Sequence, residues 1–430
     1  MASFRPFKGY RYSQGIPLDA VIAPPYDVVS RAERDVIAAR HPANAMRVEL
    51  PLGPEDGGVE AGAEGAANRY EAASAVWKGW IADGVVARDG KHSFYVYRMT
   101  PPDGNATTGV VGELGLERPG ESILPHEQTI PKDKTDRLAL LRHAHANFSA
   151  IWGLSLASGL GSLLEMQAAG PPDASARDGE GVVHELWILD DPAVSGRVSE
   201  LVSSEPIVIA DGHHRFETAL AFSEEAGGLP GAGAVMAIIV ELAGDQLCIK
   251  PIHRMAEVAA GPAQVRRAFE SHYELSVPSD GAGQWKPGEG MRLVLAGGEW
   301  TMVRRPVAGL PESVAGSGGY GAAGQDGAIL DSELVKLALE ECGLHSITYT
   351  ADVKEAAASV AAAPGAGESA STGDMGSGDG EIGLARVAVV MEPVTADQIA
   401  AYGRSRRRMP PKTTYFWPKP RTGMVFRAVD

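Results

Sequence analysis

Short apolar segments separated by turn residues predict most of the strands. These segments have the length and the aromatic and β-branched composition of strands. The turn "PPDGNAT" joins "SFYVYRMT" to "TGVVGELGL". The segments read "SFYVYRMT", "TGVVGELGL", "AIWGLSLAS" and "VVHELWILDD". Farther along, "AVMAIIVELAGDQLCIKPIHRM" predicts a hairpin that turns at Ala243 to Asp245, and "MRLVLAGGEWTMVRR" predicts a second hairpin.

Apolar spacing and capping residues predict the helices. Ser30 and Glu33 form a capping box, which starts a helix that runs to about Arg40 after the Pro-Pro break of "VIAPPYDVV". Asp331 is expected to start the helix "DSELVKLALEECG". Further helices are predicted for "NRYEAASAVWKGWIADG", "DRLALLRHAHANF" and "PAQVRRAFESHY", and "ARVAVVMEPVTADQIAAYG" predicts a strand and a short helix.

Strands and helices intermix along the chain, so we expect an α/β or α+β fold of mixed sheets with prominent antiparallel pairing. With 430 residues, 44% of them hydrophobic, the chain can hold two or three domains. We predict an N-terminal α+β region at 1–110, a central region at 111–260 and a C-terminal α+β region at 261–430. The Gly/Ala/Ser-rich stretches 313–327 and 359–381 contain too few apolar residues to pack and are predicted to be mobile insertions.

The composition limits the possible function classes. A formal charge of -16 argues against a nucleic-acid-binding surface, although it allows one local basic pocket. With only Cys248 and Cys342, neither a disulfide framework nor a multi-cysteine zinc site is expected. The N-terminus lacks the apolar core of a signal peptide, and the longest apolar run, near 234–243, is too short to cross a bilayer. We therefore expect a soluble, cytoplasmic protein without membrane contact; its oligomeric state stays open.

Polar residues crowd at the end of an apolar strand in "IVIADGHHRFETAL". A strand, a glycine turn and a helix start point free backbone N–H groups and a positive dipole end at an anion. Gly212 lets the backbone approach a ligand closely, and Arg215 offers a planar donor fork for phosphate oxygens. His213 and His214 add hydrogen bonds, and Asp211 is suited to accept a proton from a hydroxyl nucleophile.

The same segment also has a structural explanation, in which Asp211 caps the helix in a tight Asp-Gly turn and both histidines are solvated. The crowding of polar residues behind a short apolar strand favours phosphate binding. A zinc site is disfavoured, because adjacent histidines in a turn do not converge on one ion and lack the i, i+4 spacing of a helical ligand pair. The sequence identifies no metal ligands.

A second concentration of polar residues lies in "ILPHEQTIPKDKTDRLALLRHAHANFS". It places His126 beside Glu127, and the cations Lys132, Lys134 and Arg137 follow. In an acidic chain this basic cluster suits a nucleotide or a phosphorylated substrate, so we expect the three cations to bind phosphate and His126 to contact the substrate. A solvated helix start is the structural alternative, and spacing alone does not single out Glu127.

Near the C-terminus, "MPPKTTYFWPKPRTGM" sets Lys412 and two threonines between prolines that stiffen the backbone. This arrangement predicts an anion-binding role for Lys412. The alternative is a Pro-rich closing strand that packs its aromatic residues into the core. We favour the structural role for the aromatic residues, and both explanations stay open for Lys412.

These motifs resemble those of a widespread prokaryotic family, domain of unknown function 1015. The resemblance covers nearly the whole chain and rests on "FRPFKGYRY", "VIAPPYDVVS", "ILPHEQT", "KDKTDRLALLR", "IADGHHRFETAL", "PIHRM", "LDSELV" and "MPPKTTYFWPKPRTG". The Gly/Ala/Ser-rich insertions depart from the compact pattern of the family but touch none of these motifs. The family resemblance by itself implies no activity.

A more distant resemblance concerns the pair "PHEQT" and "IADGHHR", which is similar to the paired motifs of the ParB/sulfiredoxin superfamily. The closest variant belongs to the free-serine kinases, which read "PHE" and then "DGH-x-R". The resemblance implies a ParB/sulfiredoxin-like nucleotide-binding core in residues 111–260, with Glu127 and Asp211 as catalytic carboxylates and the turn from Gly212 to Arg215 holding phosphate. The interval between the two motifs is longer here than in the small serine kinases. The catalytic cysteine of sulfiredoxins is replaced by histidine, which excludes sulfinic-acid reduction by that route.

The leading hypothesis is phosphoryl transfer between a nucleotide, or pyrophosphate, and a small hydroxyl substrate, most concretely L-serine or O-phosphoserine. Asp211 or Glu127 would act as the base, and Mg²⁺ with ATP or ADP is expected. The direction of transfer, serine-kinase-like or phosphoserine-phosphatase-like, stays open. The alternative is a ParB-like nucleotide-binding protein or regulator without metabolic catalysis, although no helix-turn-helix or basic domain supports DNA binding. A scaffold with a decayed pocket is a third possibility, against which the intact turn residues argue.

Overall fold

A computed structural model describes six stretches of the chain: residues 2–102, 104–125, 134–278, 284–305, 327–361 and 384–430. The chain divides into two compact units. The first unit comprises Met1–Cys248, Tyr402–Arg408 and Phe416–Asp430, and the second comprises Ile249–Ala401 and Met409–Tyr415. The predicted division into three regions stays a prediction.

The strands and helices alternate along both units. The strands are β1 (Phe4–Arg5), β2 (Tyr10–Tyr12), β3 (Val86–Arg88), β4 (Phe94–Thr100), β5 (Thr107–Gly115), β6 (Ile123–Pro125), β7 (Ala146–Asn147), β8 (Ile151–Ser155), β9 (Ala174–Arg177), β10 (Val183–Leu189), β11 (Ile207–Asp211), β12 (Ala234–Glu241), β13 (Cys248–Lys250), β14 (His253–Val258), β15 (Tyr273–Ser276), β16 (Met291–Leu295), β17 (Gly298–Arg304), β18 (Leu344–Thr350), β19 (Ala385–Val390), β20 (Tyr415–Trp417) and β21 (Arg427–Ala428). The α-helices are α1 (Leu18–Val21), α2 (Arg31–Ala38), α3 (Met46–Glu49), α4 (Arg69–Ala82), α5 (Lys134–Ala144), α6 (Leu160–Gln167), α7 (Pro192–Ser204), α8 (His213–Glu225), α9 (Pro262–His272), α10 (Gly327–Glu341), α11 (Val353–Ala361) and α12 (Ala396–Arg404).

The first unit is built on one large mixed sheet. Its strands lie in the order β6-β11-β8-β12-β5-β4-β10-β9, and β1 pairs with β5. The pairs β11–β6 and β12–β8 are parallel, whereas the other pairs of this sheet are antiparallel. The predicted α/β or α+β fold, with mixed sheets and prominent antiparallel pairing, is confirmed.

Packing on one face of this sheet fixes β11, the strand that leads into the Asp-Gly turn. Ile207 and Ile209 are at most 2% exposed and belong to a core that also contains Leu164 of α6 and Val202 of α7. Phe216 of α8 packs into the same core. Because β11 and α8 are buried in one apolar cluster, the turn between them has little freedom to move.

The second unit contains an antiparallel sheet in the order β15-β17-β16-β19-β14-β18. The hairpin predicted for "MRLVLAGGEWTMVRR" is confirmed as the β16–β17 pair, and the helix predicted for "PAQVRRAFESHY" is confirmed as α9. In the first unit the capping box of Ser30 and Glu33 is confirmed at the start of α2.

Two local predictions are wrong. The hairpin expected to turn at Ala243 to Asp245 does not form, because β12 pairs with β5 and β8 instead. A strand of this apolar composition is buried on both faces and gains most by taking a central place in the sheet. Asp331 does not start its helix, since α10 begins at Gly327. Its carboxylate instead lies 3.4 Å from a guanidinium nitrogen of Arg304.

The predicted Gly/Ala/Ser-rich insertions fall largely outside the described residues. Of the stretch 313–327 the structure describes the last residue, which begins α10, and of 359–381 it describes 359–361, which end α11. Within the described stretches, no helix combines the length and the apolar composition that crossing a membrane would require.

His253, from the motif "PIHRM", is a buried structural residue of the second unit. Its side chain is 1% exposed, its Nδ1 accepts a hydrogen bond from the backbone N–H of Met391 at 3.1 Å, and its ring lies 5.5 Å from that of Trp285. Burial, reinforced by the positive charge of Arg254, lowers the pKa of His253 to about 4. The imidazole is therefore neutral in the folded protein.

We predict that His253 makes the second unit less stable in mild acid. The pKa of His253 is about 4 in the folded chain and near 6.5 in the unfolded chain. The neutral imidazole therefore makes its full contribution to the free energy of unfolding above pH 6.5, and this contribution is lost as the pH falls toward 4. Between pH 7.5 and 4.5 the loss should be about 2–3 kcal/mol. Asp331, whose pKa burial raises to about 6, acts in the opposite direction over this range, so the measurement is a comparison with His253→Asn. Urea unfolding of both proteins at the two pH values should show the difference. An identical pH dependence in the variant would contradict the prediction.

Candidate functional site

A strand, a glycine turn and a helix start form the centre of the site, as predicted. β11 ends at Asp211 and α8 begins at His213, with Gly212 between them at φ 87° and ψ 29°. This left-handed conformation costs glycine little. A Cβ at the same position would lie 3.0 Å from Nε of Arg215 and 3.1 Å from Cγ2 of Ile151. The turn therefore requires glycine, and it leaves the first N–H groups of α8 at an end of the helix that favours anions.

The carboxylate of Asp211 binds two cations. Oδ2 accepts a hydrogen bond from Nη2 of Arg215 at 2.6 Å, and Oδ1 accepts one from the ammonium group of Lys419. Nη1 of Arg215 donates to the carbonyl oxygen of Ala150 at 2.6 Å, which fixes the guanidinium group. Burial by itself would raise the pKa of Asp211, but the charges of Lys419 and Arg215 hold that pKa below its usual value. Asp211 is ionised and, while both cations remain bound, is a weak proton acceptor.

An ion cluster near the C-terminus positions Lys419. Arg421, two residues farther along, donates from Nε to Asp178 at 2.7 Å and from Nη2 to Glu180 at 2.7 Å. The side chains of Arg421 and Asp178 are 6% and 5% exposed. Because this pair is almost completely buried, it holds the segment that carries Lys419 against the first unit.

The 3₁₀ turn Tyr26–Val28, which follows the Pro-Pro break, brings a second aspartate to Arg215. Oδ2 of Asp27 lies 3.9 Å from Nη2 of Arg215. Loss of hydration, followed by the negative charge of Asp211, raises the pKa of Asp27, although 37% of its side chain remains exposed. The two neighbouring aspartates therefore differ, since one is held ionised by cations and the other is shifted toward its protonated form.

Arg137 contacts the same turn and lines a small cavity with Arg215 and Glu49. Its guanidinium carbon lies 4.2 Å from the centre of the Tyr26 ring, and Nη1 donates to the backbone oxygen of Glu49 at 2.7 Å. Burial raises the pKa of the Glu49 carboxyl, while the charge of Arg137 and a hydrogen bond from Ser149 oppose this shift. The cavity has a volume of about 50 Å³.

The predicted site residues have different positions in the structure. His213 and His214 lie in the first turn of α8 beside Arg215, and Arg137 shares the cavity with Arg215. Lys412 lies in the second unit. His126, Glu127 and Lys132 are outside the described residues, and Lys134 is described only as the first residue of α5. The proposed roles of all these residues stay predictions.

Sequence reasoning missed four residues that the fold brings to the site: Tyr26, Asp27, Glu49 and Lys419. The first two lie in the motif "VIAPPYDVV" and Lys419 lies in "WPKPRTG", so motif membership was an available signal. Glu49 carries no such signal, because a single glutamate at the end of a short helix has no distinctive pattern.

In the described part of the chain, no three side chains of histidine, cysteine, aspartate or glutamate form a cluster suited to a metal ion. Mg²⁺ is commonly held by one or two carboxylates together with phosphate oxygens. The partly exposed carboxylate of Asp27, close to Asp211, is compatible with that ligand set.

The chain matches the sequence model of a family described as "Protein of unknown function (DUF1015)" over residues 4–317. No curated protein matches it significantly. Among solved structures, it is similar to a mutant free serine kinase in complex with ADP, with 11% identity, a TM-score of 0.38, and coverage of 77% of this chain and 95% of the other. It is also similar to C-terminally truncated SbnI from Staphylococcus aureus, with 11% identity, a TM-score of 0.35, and coverage of 73% and 86%.

We predict that Gly212→Ala destabilises the first unit. Forcing an L-residue into the left-handed region, with a new Cβ against Arg215, should lower the free energy of unfolding by about 1–2 kcal/mol. Gly196→Ala is a matched control, since Gly196 lies in the exposed interior of α7 with open space around the added Cβ. There the same change should stabilise by about 0.4–1 kcal/mol. Urea unfolding measures the change in the free energy of unfolding for each variant. Changes of the same sign in the two variants would contradict the prediction.

Proposed function

The chain belongs to the DUF1015 family, and we propose that it transfers a phosphoryl group between a nucleotide, or pyrophosphate, and a small hydroxyl substrate, most concretely L-serine or O-phosphoserine. The observation that carries the proposal is the binding of Lys419 and Arg215 to one carboxylate at the start of α8. The substrate in the proposal rests on the resemblance of "PHEQT" and "IADGHHR" to the paired motifs of free-serine kinases.

Phosphoryl transfer requires mainly positioning and the neutralisation of negative charge. Two cations of different geometry, a forked guanidinium and a compact ammonium, adjoin a glycine turn at the start of a helix, where the helix dipole favours anions. In the structure the single carboxylate of Asp211 is paired with both cations. Phosphate oxygens of a nucleotide would compete for the same donors, so we assign Arg215 and Lys419 to phosphate binding, together with Gly212, His213 and His214.

The base toward the substrate hydroxyl is assigned to Glu127 or Asp211. In favour of Glu127, β6 lies parallel to β11 with Pro125 opposite Ile209, and parallel neighbours end at the same edge of a sheet. Glu127 follows Pro125 by two residues in the sequence and lies outside the described residues. Its ion pairs make Asp211 the weaker base, and it would gain proton affinity only when phosphate draws the cations away.

Mg²⁺ would be held by phosphate oxygens and the carboxylate of Asp27, and it would supply charge neutralisation to the transferring group. Asp27 is the candidate because its side chain is partly exposed and its neighbour Asp211 is already occupied by two cations. Binding of the metal would hold Asp27 in its ionised form, against the upward shift of its pKa in the ligand-free protein.

One observation favours the alternative, a ParB-like nucleotide-binding protein without metabolic catalysis. Asp211 is bound by Lys419 and Arg215 and has a lowered pKa, which suits a structural anion better than a base. The two functions are separated by incubating the protein and Mg²⁺ with ATP, ADP, CTP or pyrophosphate, with and without L-serine, and detecting phosphoserine by mass spectrometry. The reverse reaction is tested with O-phosphoserine. Nucleotide binding without turnover in either direction, joined by DNA binding at moderate salt, would favour the alternative.

We predict that Arg215→Ala and Asp211→Asn change function in different ways. Loss of the charged, forked contact in Arg215→Ala should lower nucleotide affinity about tenfold or more. Asp211→Asn removes a negative charge beside the phosphates, so affinity should hold or rise while turnover falls by about 10²–10⁴. Calorimetry and single-turnover phosphoserine formation measure the two effects. Arg142→Ala is the charge-matched control, because Arg142 is exposed and paired with Glu225. An Asp211→Asn variant with full activity would remove Asp211 from the catalytic residues.

A further inference from the structure

Glu49 is a buried carboxylate whose charge is incompletely compensated. It ends α3, it is 2% exposed, and its Oε1 accepts a hydrogen bond from Oγ of Ser149 at 2.7 Å. Among the described side chains, no lysine or arginine forms an ion pair with its carboxylate. Burying a carboxylate without an ion-pair partner is strongly unfavourable, so such a group in a folded protein calls for a ligand.

Two further polar atoms, on residues that line the same cavity, have no hydrogen-bond partner among the described residues. They are Oγ1 of Thr218, a residue that is 4% exposed, and Nε of Arg215, whose side chain is 10% exposed. Both residues line the cavity with Glu49 and Ser149. Buried donors and acceptors are nearly always paired, so a carboxylate, an unpaired hydroxyl and an unpaired guanidinium N–H on three residues that line one cavity call for a ligand.

The other guanidinium donors at the cavity are already occupied. Arg137 donates to Asp136 and to the backbone oxygen of Glu49, and the terminal nitrogens of Arg215 donate to Ala150 and Asp211. Besides the amide of Asn147, the residues that line the cavity therefore offer one carboxylate acceptor, one hydroxyl and one guanidinium N–H donor. This is the complement of a zwitterion.

We propose that this cavity binds the head group of a small α-amino acid, with the ammonium group on the carboxylate of Glu49 and Thr218 and the carboxylate group on Nε of Arg215. The assignment rests on the proposed function, since it supplies the substrate class for the same site. A volume of about 50 Å³ accommodates a head group but not a nucleoside. Because Arg215 also binds Asp211, a head group held here would place a short hydroxyl side chain near the phosphate-binding turn.

The test compares two substrates that differ at one group. L-Serine and glycerate share the hydroxyl and the carboxylate, but glycerate has a hydroxyl in place of the ammonium group. Binding of each is measured by calorimetry on the full-length protein, with no nucleotide turnover involved. We expect the protein to prefer L-serine by at least about tenfold, and Glu49→Gln to reduce that preference to within about threefold, while ADP binding is unchanged. Glu225→Gln, at an exposed carboxylate paired with Arg142, is the matched control and should keep the preference.

A second variant tests the same proposal if Glu49→Gln does not fold. Thr218→Val has nearly the same shape and removes only the hydroxyl group, so L-serine affinity should fall about threefold or more without loss of stability. An unchanged serine-to-glycerate ratio in Glu49→Gln, or unchanged serine affinity in Thr218→Val, would overturn the proposal and identify the cavity as a site for water alone. Glu49-dependent serine binding without phosphoryl transfer from any nucleotide would keep this inference and refute the proposed function. Turnover of serine that does not depend on Glu49 would support the proposed function and refute this inference.

Discussion

The ion cluster centred on Asp211 is the interaction on which the candidate site depends. Its carboxylate joins Arg215, four residues from Asp211 on α8, to Lys419, which lies 208 residues from Asp211 in the chain. Removing the shared carboxylate would leave two buried cations without this partner, and breaking a buried ion pair in this way costs about 3–5 kcal/mol. The cluster therefore fixes the glycine turn and the C-terminal segment together, and it keeps two cations at a helix start in a chain with a formal charge of -16.

Cations and carboxylates alternate through the site, and each carboxylate has a different environment. Asp211 is held ionised by two cations, and Asp27 is shifted toward protonation by lost hydration and by Asp211. Glu49 is buried, and among the described residues its carboxylate accepts a hydrogen bond from the hydroxyl group of Ser149. Neighbouring acids whose pKa values are displaced in opposite directions are typical of sites that bind or transfer charged groups. Under the proposed function, an incoming phosphate would compete with Asp211 for Arg215 and Lys419, so ligand binding would be coupled to the charge of Asp211.

The family motifs serve different physical purposes. "IADGHHR" supplies the turn and Arg215, "VIAPPYDVV" supplies Asp27, and "WPKPRTG" supplies both Lys419 and its anchor, Arg421. In contrast, "PIHRM" places His253 in the interior of the second unit, where a neutral imidazole accepts a backbone hydrogen bond. Membership of a motif therefore does not by itself distinguish a ligand-binding residue from a structural one; the partners of the side chain do.

The sequence by itself determined the features that depend on neighbours within a few residues. The capping box of α2, the β16–β17 hairpin and the strand, turn and helix around Gly212 follow from spacing, turn chemistry and capping, which act locally. Only the tertiary structure decided that β12 lies between β5 and β8, and that Lys419, Asp27 and Glu49 gather near Arg215. These contacts join residues far apart in the chain, and they are selected by the burial of whole strands and the pairing of buried charges, which no local pattern records.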